Sequence, residues 1–374
     1  MKVAILTLKI HSNFGYLMQL YALQRVIKSL GHEPYTFFIK EEQPTFRAKV
    51  KDLIYNLYVR LLKGQKAKLF KRWFTENERC ILDKNTWDFV RSNVQLTEHF
   101  KSAKDFYNFD ITKFDAYIVG SDQVWREPYS MDLPLYFFSF LDSKTRRMSY
   151  AASFGRSDIK EYSSSQITQC KQLLQRFNIV TVREKDGVDI CKKEFGVDAK
   201  QVVDPTLLLS EQEYEELANK GKTFNHGKPY VFTYLLDPDN DKIKLIKQFS
   251  KDKNMEIVNI LPPKKKFQSK LIEEFVYPHV YDILSGFKNA SFVFTDSFHA
   301  SVFSIIFKRQ FFVFPNEKRG VSRITSLLAD YNLSDRIITG DLPFSVINFD
   351  TLNISIKNKV EESKECLKSF FNER

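Results

Sequence analysis

At 374 residues and 44.1 kDa the chain exceeds what one hydrophobic core usually serves, so two domains are expected. A hydrophobic fraction of 43% excludes a disordered or fibrous chain. The net charge of +11 is unevenly placed: between Arg47 and Arg72 nine Lys/Arg residues stand against one acid, Asp52.

In chain order, an apolar strand is expected over Lys2–Leu8, closed by Lys9 and His11. That apolar run is too short for a signal peptide, and no small-residue cleavage site comes after it. Helical spacing covers Leu17–Leu30 and ends at Gly31, a favourable C-cap. The next strand is at Pro34–Ile39. In the basic segment 47–72, Val50, Leu53, Ile54, Leu57, Tyr58, Leu61 and Leu62 recur at helical spacing. Such a helix either lies against an anionic membrane surface or acidic polymer, or packs one face on its own domain and solvates the other. Thr75–Thr112 carries no clear period.

Ala116–Val119 is a buried strand running into Gly120-Ser121-Asp122. Short strands at Met148–Ala151, Val180–Val182 and Gln201–Val203 alternate with helices near Ile159–Phe177 and Lys185–Phe195. Strands separated by helices imply parallel pairing. The pattern restarts after Thr223–Pro229. Strands are expected at Tyr230–Leu236, Glu256–Leu261, Ser291–Thr295 and Phe311–Phe314. Helices are expected at Asp241–Lys251, Val280–Phe287, His299–Phe307, Val321–Tyr331 and Thr351–Phe371. The expected fold is α/β: two doubly wound Rossmann-like lobes, residues 1–222 and 223–374, facing a cleft in the glycosyltransferase-B manner.

No apolar run is long enough to span a bilayer; the best, Phe292–Phe307, contains Asp296 and His299. Cys80, Cys170, Cys191 and Cys366 are far apart and match no disulfide or zinc spacing, as in reduced cytoplasmic proteins. The expected location is the cytoplasm, with the inner face of the plasma membrane if the 47–72 helix binds lipid. No metal and no cofactor are expected.

In open parallel sheets ligands bind beyond the carboxyl ends of the strands, so the residues just past each strand are the first candidates. After the first strand come Ser12-Asn13-Phe14-Gly15, in which Asn13 and Ser12 suit a helix cap and Gly15 permits close backbone approach. After Val119 come Ser121, Asp122, Gln123 and Trp125. Asp122 either caps the next element or serves the site. Arg183 stands directly after Val182, either binding a carboxylate or phosphate or pairing locally with Glu184 or Asp186. The strongest element is Thr295-Asp296-Ser297-Phe298-His299, a polar turn from an apolar strand into an apolar helix. Arg319 and Arg323 flank a later helix start as further anion ligands.

These pieces resemble the polysaccharide pyruvyl transferase family. The likeness lies in ordered blocks along nearly the whole chain: SNFGYLMQLYALQ, FDAYIVGSDQVW, RRMSYAASFG, VREKDGV, VVDPTLLL, FVFTDSFHASVFSIIF and SRITSLLADYNLSDR. The resemblance implies transfer of pyruvate from phosphoenolpyruvate to two hydroxyls of a sugar, as a cyclic ketal, on a surface polysaccharide or its lipid-linked precursor. Its partners would be phosphoenolpyruvate and a sugar acceptor, with no nucleic acid. It also implies Asn13, Asp122, Arg183 and His299 as site residues, with His299 as acid or phosphate ligand and Asp122 handling an acceptor hydroxyl. One departure matters: some members carry Arg-Leu-His where this chain has Ser297-Phe298-His299, so a cation must come from elsewhere, Arg319 or Arg323. Tyr16 is bulky at a position where the family is often small.

Two rivals stand beside this. One is a nucleotide-sugar glycosyltransferase on the same fold, for which Pro315–Gly320 is a poor diphosphate loop. The other is a non-catalytic polyanion-binding protein acting through the 47–72 segment.

Overall fold

The computed structural model describes residues 1–39, 50, 53–55, 57–58, 74–224, 228–262, 271–316, 321–340, 342 and 345–372. Arg319 and most of the basic 47–72 segment lie outside them. Of that segment, Val50, Leu53, Ile54, Tyr55, Leu57 and Tyr58 are described, and they are exposed.

Two parallel sheets form two lobes. In the first, β1 (Lys2–Leu6), β2 (Glu33–Ile39), β3 (Leu96–Phe100), β4 (Ala116–Val119) and β5 (Arg147–Ser149) take the order β3-β2-β1-β4-β5. Every pairing is parallel, as continuous apolar runs such as Val3–Leu6 and Ala116–Val119 demand when both faces are covered. Single bridges from Met148 to Ile179 and from Ala152 to Val182 carry the sheet on to β6 (Thr181–Val182), which pairs with β7 (Lys200–Gln201). The second lobe holds β8 (Tyr230–Tyr234), β9 (Glu256–Asn259), β10 (Phe292–Thr295) and β11 (Gln310–Val313), in the order β11-β10-β8-β9 and again all parallel. The strand order reverses between β1 and β4 in the first lobe and between β8 and β10 in the second. These are the switch points where open α/β sheets bind ligands.

The Phe14–Ser29 helix starts three residues before its expected beginning because Asn13 caps it, its side chain accepting from the Tyr16 amide at 3.1 Å. Its first turn enters the interface between the lobes. Phe14 packs on Phe287, Phe303 and Tyr234 of the second lobe, with ring centroids 4.8–5.9 Å apart. The Phe14 amide donates to the Tyr277 hydroxyl at 3.2 Å. Burying a side chain of this size stabilises by about 1.5–3 kcal/mol, so this aromatic seam joins the lobes firmly.

Chain order and lobe membership diverge at two helices. Glu211–Ala218 comes after the first sheet yet packs on Val280–Lys288 of the second lobe, where Gly221 lies against the Tyr281 backbone and admits no side chain. The last helix, Phe349–Asn372, returns to the first lobe. The Ser363 hydroxyl accepts from the Val203 amide at 3.1 Å, Arg146 donates to the Phe370 carbonyl, and Phe371 stacks on His32.

Within Thr75–Thr112 the structure places two helices, Glu76–Leu82 and Lys84–Asn93, before β3. The first opens on a capping box between Thr75 and Glu78 and fully buries none of its residues. No described helix is long and apolar enough to cross a membrane.

Candidate active site

The chain leaves β4 through Gly120 and Ser121 and reaches Asp122 in a left-handed conformation, φ 78°. A non-glycine residue there costs about 1 kcal/mol or more, strain that collects at functional sites. The Asp122 carbonyl holds the turn by accepting from the Val124 and Ser153 amides at 2.7 and 3.0 Å. Its carboxylate faces two guanidinium groups, with Oδ1 3.8 Å from Arg183 Nη2 and 3.6 Å from Arg323 Nη1.

Arg183 stands at the end of β6, its side chain only 2% exposed. Nε donates to Glu184 and Nη1 to Asp204, both at 2.9 Å. The local Glu184 pair is therefore real, and among the described residues Nη2 is left without a hydrogen bond. The guanidinium lies 4.6 Å from the Phe298 ring centroid, and that of Arg323 lies 6.0 Å from the same ring. Phe298 thus gives both cations a common apolar support.

His299 sits in the first turn of the Phe298–Ile306 helix. Its Nε2 is 3.6 Å from Asp204 Oδ2 and, although buried, makes no hydrogen bond among the described residues. The other edge of the ring lies directly on the Phe14–Ser29 helix. A Cβ on Gly15 would fall 2.1 Å from His299 Nδ1, so only glycine allows this approach.

Asp204 ties the cluster together. Its Oδ1 accepts from the Thr206 amide and hydroxyl at 3.0 and 2.7 Å. Its Oδ2 meets Arg183, His299 and the Ser121 hydroxyl, the last at 3.3 Å. Burial opposes its charge, but His299, Arg183 and the Thr206 hydrogen bond hold its pKa well below the usual carboxylate range. Burial likewise opposes the charge on Asp122, and Arg183, Arg323, His299 and His11 outweigh it, so its pKa is lowered. For Arg183, burial is outweighed by Glu184, Asp204 and Asp122, and its pKa is raised. For Arg323, burial and the neighbouring Arg183 cation dominate, and its pKa is lowered. Two crowded cations facing carboxylates suit an incoming anion that replaces those carboxylates. The two buried donors without hydrogen bonds, Arg183 Nη2 and His299 Nε2, point to the same use.

The structure thus brings together Asp122, Arg183, His299 and Arg323, with Gly15 and Ser121 beside them. Four other candidates serve the scaffold. The Asn13 side chain is its helix cap. Gln123 is buried, accepts from Arg126 at 3.1 Å and lies close against Gly155. Ser297 caps the Phe298–Ile306 helix through the Ala300 amide at 3.5 Å. Asp296 accepts from the Leu236 and Asp237 amides at 2.6 and 2.9 Å and from Lys242 at 3.0 Å. Tyr16 is a core residue whose hydroxyl donates to the Leu8 carbonyl at 2.6 Å. Sequence reasoning missed Asp204 and Phe298. Asp204 carried the same signal as Asp122 and Arg183, a charged residue directly after the apolar pair Val202-Val203 at a strand end. Among the described residues no group of three or more His, Cys, Asp or Glu is arranged to hold a metal ion.

Residues 13–318 match the family model described as polysaccharide pyruvyl transferase. No curated protein matches the sequence. Among solved structures, UDP-GlcNAc 2-epimerase from Methanocaldococcus jannaschii aligns at TM-score 0.47 and 13% identity, covering 96% of this chain and 92% of that one. UDP-GlcNAc 2-epimerase from Neisseria meningitidis, bound to UDP-GlcNAc, aligns at TM-score 0.47 and 10% identity, covering 99% and 94%. S. aureus MnaA with UDP aligns at TM-score 0.46 and 11% identity, covering 98% and 90%.

Proposed function

The chain belongs to the polysaccharide pyruvyl transferase family, and from that premise we propose that it moves pyruvate from phosphoenolpyruvate onto two hydroxyls of a sugar, closing a cyclic ketal and releasing phosphate. The sugar belongs to a surface polysaccharide or its lipid-linked precursor. The observation that carries this reading is the convergence of Arg183, Arg323 and His299 on Asp122 and Asp204. It supplies anion ligands, a proton donor and a proton acceptor within one buried cluster.

The roles come from the chemistry. Arg183 and Arg323 hold the donor's carboxylate and phosphate in a water-poor site, where such contacts are strong. His299, protonated through Nε2, gives its proton to the methylene carbon, which becomes a methyl group and leaves an oxocarbenium centre. One sugar hydroxyl attacks this centre while Asp122 takes its proton. The bond from carbon to the phosphate oxygen then breaks, and the second hydroxyl closes the ring, its proton leaving with phosphate. In the free enzyme Arg183 and Arg323 depress the Asp122 pKa. Drawing those cations onto the donor raises it again and makes Asp122 a better base when it is needed. Arg323 takes the place of the cation that Ser297 lacks.

The test is phosphate release from phosphoenolpyruvate by purified protein with a panel of hexosides and lipid-linked sugars, run beside nucleotide sugars as donors. Phosphate release that depends on acceptor and falls in His299→Ala supports the proposal. Turnover of a nucleotide sugar alone, or no release with any acceptor, defeats it.

A further inference from the structure

A cavity of about 200 Å³ borders the cluster on the side of Arg183, Asp204, Phe298 and Arg323. Its far wall comes from β7 and from the Val321–Asp330 and Phe349–Asn372 helices. There the Gln201 amide donates to the Arg183 carbonyl at 3.2 Å and to Asp330 at 3.1 Å. Lys359 meets the other oxygen of Asp330 at 3.0 Å.

The far wall selects against an anion. Among the described residues its one cation, Lys359, already pairs with Asp330, and Glu362 adds a second carboxylate. A neutral polyhydroxyl ligand suits it better. Each hydroxyl both donates and accepts, and a wall of mixed carboxylates, amide, hydroxyl and ammonium answers both. The volume lies below the roughly 300–1,000 Å³ of pockets for drug-sized ligands, which favours one sugar ring over an oligosaccharide.

We infer that this cavity is the acceptor subsite, holding one neutral sugar ring against the Gln201–Asp330–Lys359 wall while the donor occupies the Asp122–Arg183–Arg323–His299 side. The inference rests on the transferase reading above and adds the location and charge class of the acceptor. It also assigns a specificity role to helices beyond residue 318, where the family match ends.

Two variants test it. Gln201→Ala removes, at an exposed position, an amide whose N–H groups serve the Arg183 carbonyl and Asp330 and whose Oε1 would accept from a sugar hydroxyl, and Ser326→Phe fills the cavity. The probe is whichever p-nitrophenyl hexoside, from a panel of common hexoses and N-acetylhexosamines, supports phosphate release by the wild type. Gln201→Ala is expected to raise KM for that hexoside by about five- to tenfold, the effect of one lost hydrogen bond. Ser326→Phe is expected to raise it further, with KM for phosphoenolpyruvate within about twofold of wild type in both. Unchanged acceptor KM in both variants, or a rise in KM for phosphoenolpyruvate instead, overturns the assignment. If Ser326→Phe fails to fold, Gln201→Ala decides alone. If no hexoside supports wild-type turnover, the transferase reading itself fails, an outcome distinct from unchanged KM.

Discussion

The two switch points look alike in sequence and differ in their contacts. Beyond β4 stands Asp122, beyond β10 stands Asp296, and both are acids at the end of an apolar strand where the strand order reverses. Asp296 is filled by its own lobe: two backbone amides and the Lys242 ammonium saturate it and fix the chain leaving β8. Among the described residues Asp122 makes no such local contacts through its carboxylate. It meets cations from two other parts of the chain, at distances beyond a hydrogen bond, and sits on a strained backbone. An acid at a switch point is thus a candidate whose role depends on its partners. One bound by its own backbone builds the scaffold, and one that faces buried cations at 3.6–3.8 Å is a candidate for a ligand.

The contrast is sharpest in activity. His299→Ala is expected to lower phosphate release by about 10²–10⁴-fold, the usual size of a lost general acid, with little change in thermal unfolding. A loss under about tenfold would move His299 to the scaffold class beside Asp296. Gly15→Ala reaches the same ring from the other lobe. Its new methyl collides with the imidazole, and a displacement near 1 Å is expected to cost about 10²-fold in rate. Overpacking adds about 1–3 kcal/mol of destabilisation. Wild-type rates in this variant would detach the ring's position from catalysis.

Asp296→Asn should reverse the pattern. The site per folded molecule is expected to keep its rate within about threefold, while stability falls by about 1–3 kcal/mol through weakened hydrogen bonds to the Leu236 and Asp237 amides and Lys242. Denaturant unfolding together with active-site titration separates the two quantities.

The smallest effect concerns pH. Asp204 has a depressed folded pKa, so the native state binds fewer protons than the unfolded chain. Its stabilisation is present above the unfolded value of about 3.9 and is lost as pH falls below it toward the folded value. Thermal unfolding between about pH 2 and pH 5 should therefore show a steeper acid decline in wild type than in Asp204→Asn. Equal slopes would mean that this carboxylate does not link His299 to Arg183.

Much of the fold was legible because its strands are buried on both faces and read as unbroken apolar runs, Val3–Leu6 and Val293–Thr295 among them. Thr75–Thr112 was not legible because its elements lie at the edge. β3, Leu-Thr-Glu-His-Phe, fully buries only Phe100, so it has no continuous apolar run. A cap at Thr75 and Glu78 was the one readable mark of the helix there. For the candidate site, strand ends pointed to Asp122, Arg183 and His299, which the fold brings together, but sequence could not tell a committed carboxylate from one without such contacts. Asp296 looked as functional as His299 because hydrogen bonds to a backbone 60 residues away leave no trace in local spacing. Asp204 was passed over for the opposite reason, as a residue before proline read only as a boundary.

The return of the Phe349–Asn372 helix to the first lobe bears on how the protein is made. The surface around His32, Arg146 and Val203 is complete in sequence early in synthesis, yet its covering helix is made much later. At about 5–20 residues per second, that surface waits roughly 10–30 s after Val203 has been added. During this interval the first lobe lacks that cover, and the surface is sealed only when the helix docks.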